Sequence, residues 1–331
     1  MADLTTSYLG IELKNPIIVG SSELTSNIGR IKLIEESGAG ALVIKSLFEE
    51  QIQLETFKLE DELTANNELH AEMISIFPKM EHAGAAQHLM WTRKAKESLS
   101  IPVFASLNAV NKNTWIDYAK KLEETGVDGL ELNFYAVPTN FAKSGGEIED
   151  EQIDVVKNIR NAVSIPIAIK LSSFYTNPVN FISNLDKAGV EGIVIFNQLF
   201  QPEIDIETEK NVFPLNLSSE KDSRLPLRYA GLLYKNVNAS ICASTGIYNG
   251  ADVAKMLLAG ADCVQIVSTL YKNKIEQIAS IVKELEEWMD EKGYKTLADF
   301  RGKLSRNNSN DPWAYKRAQY VKMLLKERPL D

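Results

Sequence analysis

Lysine and asparagine side chains stand at the ends of several apolar segments of this sequence. Lys45 follows one segment, Lys170 lies near the end of another, and Asn133 and Asn197 close two more. An ammonium group inside an apolar segment is costly to bury unless it has a partner. Ammonium and amide groups that converge at one place favour an electron-rich ligand. We therefore expect these four side chains to face a bound ligand.

A core ion pair is the alternative explanation for the two lysines. Glu131, near the end of an apolar segment, is the only obvious candidate carboxylate. One carboxylate does not account for two lysines together with asparagines that have no evident partners. The ligand interpretation is therefore favoured, with the two asparagines unpaired.

Hydroxyl and glycine residues end two further apolar segments. Ser244, Thr245 and Gly246 follow one of them, and Ser268 and Thr269 follow the other. Backbone N–H groups in such turns, together with a helix N-terminus, commonly bind phosphate. An ordinary loop is the alternative. The turns predict a site for a phosphate-bearing ligand.

Eight short apolar segments supply the strands that must position these residues. They lack alternation, as expected for parallel strands covered on both faces. Each is followed by a helical stretch, and strict alternation over eight units closes into a (β/α)8 TIM barrel, an α/β fold whose sites lie where the strands end. An open dinucleotide-binding sheet would carry a GxGxxG turn, which is missing from the sequence. The predicted strands are 17–20, 41–45, 103–107, 129–133, 167–171, 192–197, 240–244 and 263–267.

Two phrases recur along the chain and support this repeat. A charged helix ends in glycine just before a strand, which is typical of a helix C-cap. The phrase Ser-Ile-Pro opens two other strands, with Pro102 and Pro166 lying 64 residues apart. A module of two βα units therefore repeats, which favours a barrel. The glycines are Gly38, Gly126, Gly189 and Gly260.

Two insertions and a tail depart from the repeat. Residues 46–79 and 198–223 are too long for ordinary loops, and both are predicted on the face that carries the site. We expect one barrel domain over residues 1–305. Residues 306–331 are predicted to form a helical extension that packs on the barrel or on a second subunit.

Composition narrows the class of protein. The chain has 331 residues, 44% of them apolar, and a net charge of −9, which argues against a nucleic-acid or anionic-membrane surface. Neither a signal peptide nor an apolar run of membrane-spanning length is evident, so a cytoplasmic protein is expected. Two cysteines make no metal or disulfide framework. The three histidines, His70, His82 and His88, lie away from strand ends, and we expect surface or packing roles and no metal site.

These motifs, in their order, resemble the dihydroorotate dehydrogenase family in its soluble class-1 form. LKNPIIVGSS is similar to the family's flavin-contacting NPxxxASG segment, and GALVIKS to its second strand with the lysine that contacts flavin and substrate. ELN resembles the start of ELNxSCPN, and PIAIKL resembles PxxVKL. STGI and QIVST stand in the places of TGGI and QIGT, which hold the FMN phosphate. The resemblance extends from residue 1 to about residue 305.

The resemblance implies an FMN-dependent oxidoreductase that acts on CH–CH bonds, with a place in pyrimidine biosynthesis and a homodimeric state. It implies catalytic roles for Lys45 and Tyr135, and substrate contacts from Lys45, Asn133 and Asn197. The substrate would be a small dihydropyrimidine-like molecule or a conjugated acid. The implied FMN-binding residues are Gly20, Ser21, Lys45, Ser46, Asn108, Asn133, Lys170, Asn197, Ser244, Thr245, Gly246, Ser268 and Thr269.

The sequence departs from the family pattern at the catalytic base. The family places Cys or Ser three residues after the asparagine of ELN, whereas this chain has Ala136, which cannot move a proton. Thr245 and Val267 stand where the phosphate loops have glycine, and the substrate loop NSMGLPN has no counterpart in 46–79. A catalytically degenerate flavin-binding protein and a Schiff-base aldolase using Lys45 or Lys170 remain as alternatives.

Overall fold

A computed structural model gives the fold, and it describes residues 2–53, 84–134, 137–198, 201–311, 314–316 and 320–321. Eight parallel strands form a closed barrel in which each strand pairs with the next and the last pairs with the first. The predicted (β/α)8 barrel is confirmed. The barrel strands are β3 (Ile17–Val19), β4 (Ala41–Val43), β6 (Val103–Asn108), β7 (Gly129–Phe134), β8 (Ile167–Leu171), β9 (Gly192–Ile195), β12 (Ser240–Ser244) and β13 (Cys263–Ile266).

Helices cover the outside of the barrel between successive strands. Their buried faces and the outward residues of the strands make one large apolar core. The four glycines predicted at helix ends all have positive φ, between 85° and 128°. The helices are α1 (Ile28–Glu36), α2 (Ala85–Glu97), α3 (Lys112–Glu123), α4 (Gly145–Ala162), α5 (Pro178–Lys187), α6 (Arg224–Leu233), α7 (Gly250–Ala259), α8 (Ser268–Asn273) and α9 (Gln277–Lys292).

An N-terminal hairpin, which the strand assignment from sequence did not include, closes the end of the barrel opposite the site. Its strands are β1 (Thr6–Tyr8) and β2 (Ile11–Leu13). A second, smaller apolar cluster fills the barrel interior, and Tyr8 and Leu9 of the hairpin belong to it. A Cβ on Gly192 would lie 2.4 Å from Leu9 Cδ2, so only glycine leaves room for the hairpin. Both cysteines lie in the same cluster as free thiols.

The Ser-Ile-Pro repeat has a common structural cause. Glu35, at the end of α1, accepts hydrogen bonds from the backbone N–H groups of Ser100 and Ile101 and from the Ser100 hydroxyl. Glu123, at the end of α3, makes the same three bonds with Ser164 and Ile165. Each carboxylate thereby fixes the entry of a strand two units further along. The predicted two-unit module is therefore also visible in the hydrogen bonding.

A second set of carboxylates holds these two strand entries and also the entry of β12. Asp128 accepts from the N–H of Val103 at 2.7 Å, Glu191 from Ile167 at 2.8 Å and Asp262 from Ile241 at 2.7 Å. Each of these carboxylates also forms an ion pair. Asp128 pairs with Lys96, Glu191 with Arg160, and Asp262 with Arg301.

The two insertions project from the carboxyl ends of the barrel strands. The first begins with β5 (Leu47–Phe48), which pairs with the end of β6, and its residues 54–83 lie outside the described part. The second contains a hairpin of β10 (Glu203–Asp205) and β11 (Lys210–Val212). The predicted helical extension falls largely outside the described residues, and the division at 305/306 stays a prediction. No helix within the described ranges is long and apolar enough to span a membrane.

Candidate active site

A cavity of about 380 Å³ opens at the carboxyl ends of the barrel strands. Its position follows from the fold, because parallel strands of a barrel all end at one face. The structure places most of the sequence-predicted site residues in its lining. These are Ser21, Lys45, Ser46, Asn133, Lys170, Asn197, Ser244, Thr245, Gly246 and Ser268.

Three of the predicted site residues that the structure describes are not among those that line the cavity. Asn108 is buried behind it and donates from Nδ2 to the backbone oxygen of Asn133 at 2.7 Å. Thr269 is fully buried and bonds to the backbone oxygen of Tyr248 and to Asn273. Gly20 is also buried behind the lining, where an added Cβ would lie 2.8 Å from Val267 Cγ2. Tyr135 lies outside the described residues, as does Ala136.

Lys170 belongs to a buried polar group that crosses the barrel interior. Its Nζ donates to Gln265 Oε1 at 3.0 Å and lies 3.7 Å from Glu131 Oε1. Gln265 in turn donates from Nε2 to Glu131 Oε2. The three side chains are all buried, and they lie on β8, β13 and β7. The core ion pair and the ligand-facing lysine are therefore both present, because Lys170 also lines the cavity.

Lys45 lies nearer the mouth of the cavity and also has a carboxylate partner. Its Nζ donates to Glu23 Oε1, and both side chains line the cavity. Ser46, the next residue, hydrogen-bonds through its hydroxyl to those of Ser106, at 2.7 Å, and Ser21, at 3.1 Å. The sequence analysis named only Glu131 as a candidate carboxylate partner, and Glu23 is a second one. Glu23 was missed because it lies in the loop after β3 and not at a strand end.

The two asparagines are also paired, contrary to the expectation from sequence. Asn197 Nδ2 donates to Asn133 Oδ1 at 3.0 Å. This bond leaves the amide nitrogen of Asn133 as a donor and the amide oxygen of Asn197 as an acceptor. A donor beside an acceptor matches the N–H and C=O groups of a cyclic amide.

The turn after β12 has a left-handed backbone at two successive residues. Thr245 and Gly246 both have positive φ, 83° and 76°. A left-handed conformation costs a residue with a Cβ roughly 1–2 kcal/mol. The Thr245 hydroxyl offsets part of that cost by donating to the backbone oxygen of Phe196 at 2.7 Å. Asn249 then caps α7, since its side-chain oxygen accepts from the backbone N–H of Asp252 at 2.9 Å.

Ser218, from the second insertion, joins this turn to the turn after β13. Its hydroxyl accepts from the N–H of Gly246 at 3.2 Å and donates to Ser268 Oγ at 3.0 Å. Its backbone oxygen accepts from the Tyr248 hydroxyl and from Lys272 Nζ. The insertion is therefore fixed over the predicted phosphate turns. Nothing in the sequence around Ser218 indicates this role.

Of the three histidines, His88 lies in the described part of the chain. Burial, followed by the nearby charge of Lys45, lowers the pKa of His88 to about 4, so this side chain is neutral at physiological pH. His70 and His82 lie outside the described residues. Within the described part of the chain, His, Cys, Asp and Glu side chains form no cluster that could hold a metal ion.

Sequence reasoning missed two further side chains, and the sequence pattern indicates a special role for only one of them. Gln265 is a lone polar residue inside the apolar segment CVQIV, and its type alone indicates a buried polar partner. Tyr271, which also lines the cavity, lies in α8 and gives no comparable pattern.

Comparison with known proteins places this site in a family context. A family model described as dihydroorotate dehydrogenase matches residues 68–289, more than half of the chain. The chain is 27% identical, over 85% of its length and 94% of the relative, to the catalytic subunit of dihydroorotate dehydrogenase B (NAD(+)) of Methanocaldococcus jannaschii. It is 28% identical to the same subunit of Thermoplasma volcanium, over 91% of the chain and 98% of the relative. It is 26% identical to a putative dihydroorotate dehydrogenase A (fumarate) of Aeropyrum pernix, over 92% of the chain and 98% of the relative.

Proposed function

The chain belongs to the dihydroorotate dehydrogenase family, and from this premise we propose that it is an FMN-dependent oxidoreductase acting on a CH–CH bond of a cyclic amide. The observation that carries the proposal is the cavity itself. It brings Lys45, Lys170 and the Asn133–Asn197 pair together with the turns after β12 and β13. Its volume of about 380 Å³ lies within the usual range of cofactor pockets, about 300–1,000 Å³.

The residues present fit FMN. The lining combines apolar groups such as Ile266 and Leu217 with polar side chains. The turns at Gly246 and Ser268 would hold the phosphate, and Lys170 would place a positive charge against the ring system, where reduction increases negative charge. FMN would supply the hydride acceptor when bound.

The substrate would lie between Lys45 and the paired asparagines. The free donor of Asn133 and the free acceptor of Asn197 would bind the amide edge of the ring. Ala136 stands in the place of the family's catalytic residue, so another group must take the proton. We assign that role to Tyr135. An unperturbed tyrosine has a pKa near 10, which predicts faster turnover at alkaline pH.

A Schiff-base aldolase is the weaker candidate. Its lysine must be a neutral amine to attack a carbonyl group. Glu131 lies 3.7 Å from Lys170, and Glu23 is paired with Lys45, so each lysine is already engaged with a carboxylate. The ion pairs therefore favour the oxidoreductase.

Anaerobic mixing of the FMN-bound protein with dihydroorotate and with 5,6-dihydrouracil tests the proposal. We expect at least one of them to bleach the flavin absorbance, faster at pH 9 than at pH 7. A flavin that neither compound reduces would favour the degenerate flavin-binding protein. A colourless protein that borohydride traps with a carbonyl substrate would favour the aldolase.

A further inference from the structure

Glu23 holds a carboxylate in the cavity at a defined position. It begins the short 3-10 turn Glu23–Thr25, which Ser22 caps with its side chain. The backbone oxygen of Glu23 accepts from Arg30, and its Oε2 accepts from the Ser26 hydroxyl at 3.2 Å. The side chain reaches from this anchored turn to Lys45. The local backbone therefore directs the carboxylate towards the cavity.

The charges of the cavity are balanced by this carboxylate. Among the described lining residues, the charged side chains are Glu23, Lys45 and Lys170. Glu131 lies behind Lys170, so each ammonium group has one carboxylate beside it. A ligand carboxylate must compete with Glu23 for Lys45 and also lie close to a like charge. An uncharged ring meets no such opposition and can use the paired asparagines.

We propose that Glu23 sets the substrate class of this site by selecting an uncharged cyclic amide over a ring that carries a carboxylate. The inference rests on the proposed function, because it assumes that the substrate lies beside Lys45. Glu23 is 60% exposed on its side chain, so solvent screens its charge and the discrimination is moderate. We expect about a tenfold effect on affinity, which corresponds to about 1.4 kcal/mol.

Calorimetric titration with uracil and with orotate tests this assignment. The titrations use the purified wild-type protein and two variants, Glu23→Gln and Glu12→Gln. Glu12 lies in β2, at the closed end of the barrel, so its replacement by glutamine makes the same charge change far from the cavity. Each sample is measured at low and at high salt, since screening reduces only a charge effect. The flavin content of every sample is recorded from its absorbance.

The expected result is that the wild-type protein binds uracil more tightly than orotate. Glu23→Gln should raise the affinity for orotate about tenfold at low salt and change that for uracil less than twofold, while Glu12→Gln changes neither. Tighter binding of orotate by the wild type, an orotate affinity that Glu23→Gln leaves unchanged, or binding of neither ligand would overturn the inference. A protein that takes up no FMN would contradict the proposed function instead, and the ranking of the two ligands would still decide the role of Glu23.

Discussion

At the scale of single residues, the site depends on two ion pairs that differ in their surroundings. Lys170 and Glu131 are buried, and Gln265 bonds to both. Removing one member of a buried pair leaves an uncompensated charge, which commonly costs 3–5 kcal/mol, whereas replacing both members is often nearly neutral. Lys45 and Glu23 are partly exposed, so their pair contributes little to stability.

Replacing Lys170 by methionine separates its two roles. We expect Lys170→Met to lower the free energy of unfolding by about 3 kcal/mol, because Glu131 is left buried without its cation. We also expect FMN to bind about tenfold more weakly, since the charge beside the ring is lost. Urea unfolding and fluorescence titration with FMN measure the two effects.

The double variant Lys170→Met, Glu131→Gln serves as the internal control. It should recover most of the stability, because no buried charge remains, but not the affinity for FMN. Lys283→Met, on the exposed face of α9, should change neither quantity. Wild-type affinity for FMN in both Lys170 variants would remove this residue from the cofactor site.

At the scale of elements, carboxylates at helix ends accept the hydrogen bonds that fix where strands begin. Glu35 and Glu123 make equivalent sets of three bonds to the two Ser-Ile-Pro entries. Partial burial alone would raise the pKa of each carboxyl group. The bonds from Ser100 and Ile101, and from Ser164 and Ile165, outweigh burial and lower the pKa of both.

These lowered pKa values predict a pH dependence of stability. A carboxyl group whose pKa is lowered by folding stabilises the protein above its unfolded pKa of about 4.3, and this contribution is lost as the pH falls through the folded value. We expect Glu35→Gln and Glu123→Gln each to lower the free energy of unfolding by about 1 kcal/mol at pH 7. The difference from wild type should be smaller at pH 3 than at pH 7, because the wild-type carboxyl groups begin to lose their charge as the pH falls towards their lowered pKa values, and glutamine has no charge to lose.

Urea unfolding at the two pH values measures this effect. Glu36→Gln, the exposed neighbour of Glu35, is the matched control and should leave stability unchanged at both. In the double variant the two decreases in the free energy of unfolding should add, because Glu35 and Glu123 bond to the entries of different strands. A loss as large at pH 3 as at pH 7 would show that the side chains act by packing and not by charge.

The N-terminal hairpin gives a second prediction for an element. Burial is the main cause that raises the pKa of Tyr8 well above its ordinary value, and its hydroxyl makes no hydrogen bond. Removing an unpaired buried hydroxyl relieves a cost of about 1–3 kcal/mol. Thermal or urea unfolding of Tyr8→Phe should therefore show stability raised by about 1 kcal/mol, whereas Tyr8→Ala should lose about 3–5 kcal/mol. A destabilised Tyr8→Phe would mean that the hydroxyl has a partner in solution.

At the scale of the whole molecule, the barrel was predictable because its signals are local and repeated. Glycine at helix ends and apolar strands without alternation recur in successive units, and the strand-end rule located the lysines and asparagines. Contacts between distant segments left no such pattern. Ser218 reaches the phosphate turns from an insertion, Glu23 reaches Lys45 from a loop, and Tyr8 enters the barrel from a hairpin.

The absorption spectrum of the purified protein tests the central claim most directly. The cavity at the carboxyl ends of the barrel strands predicts one FMN per chain, seen as the visible bands of an oxidised flavin and identified by mass after release. Protein purified without flavin should take up added FMN and acquire the same bands. A colourless protein that neither retains nor takes up FMN would contradict the account.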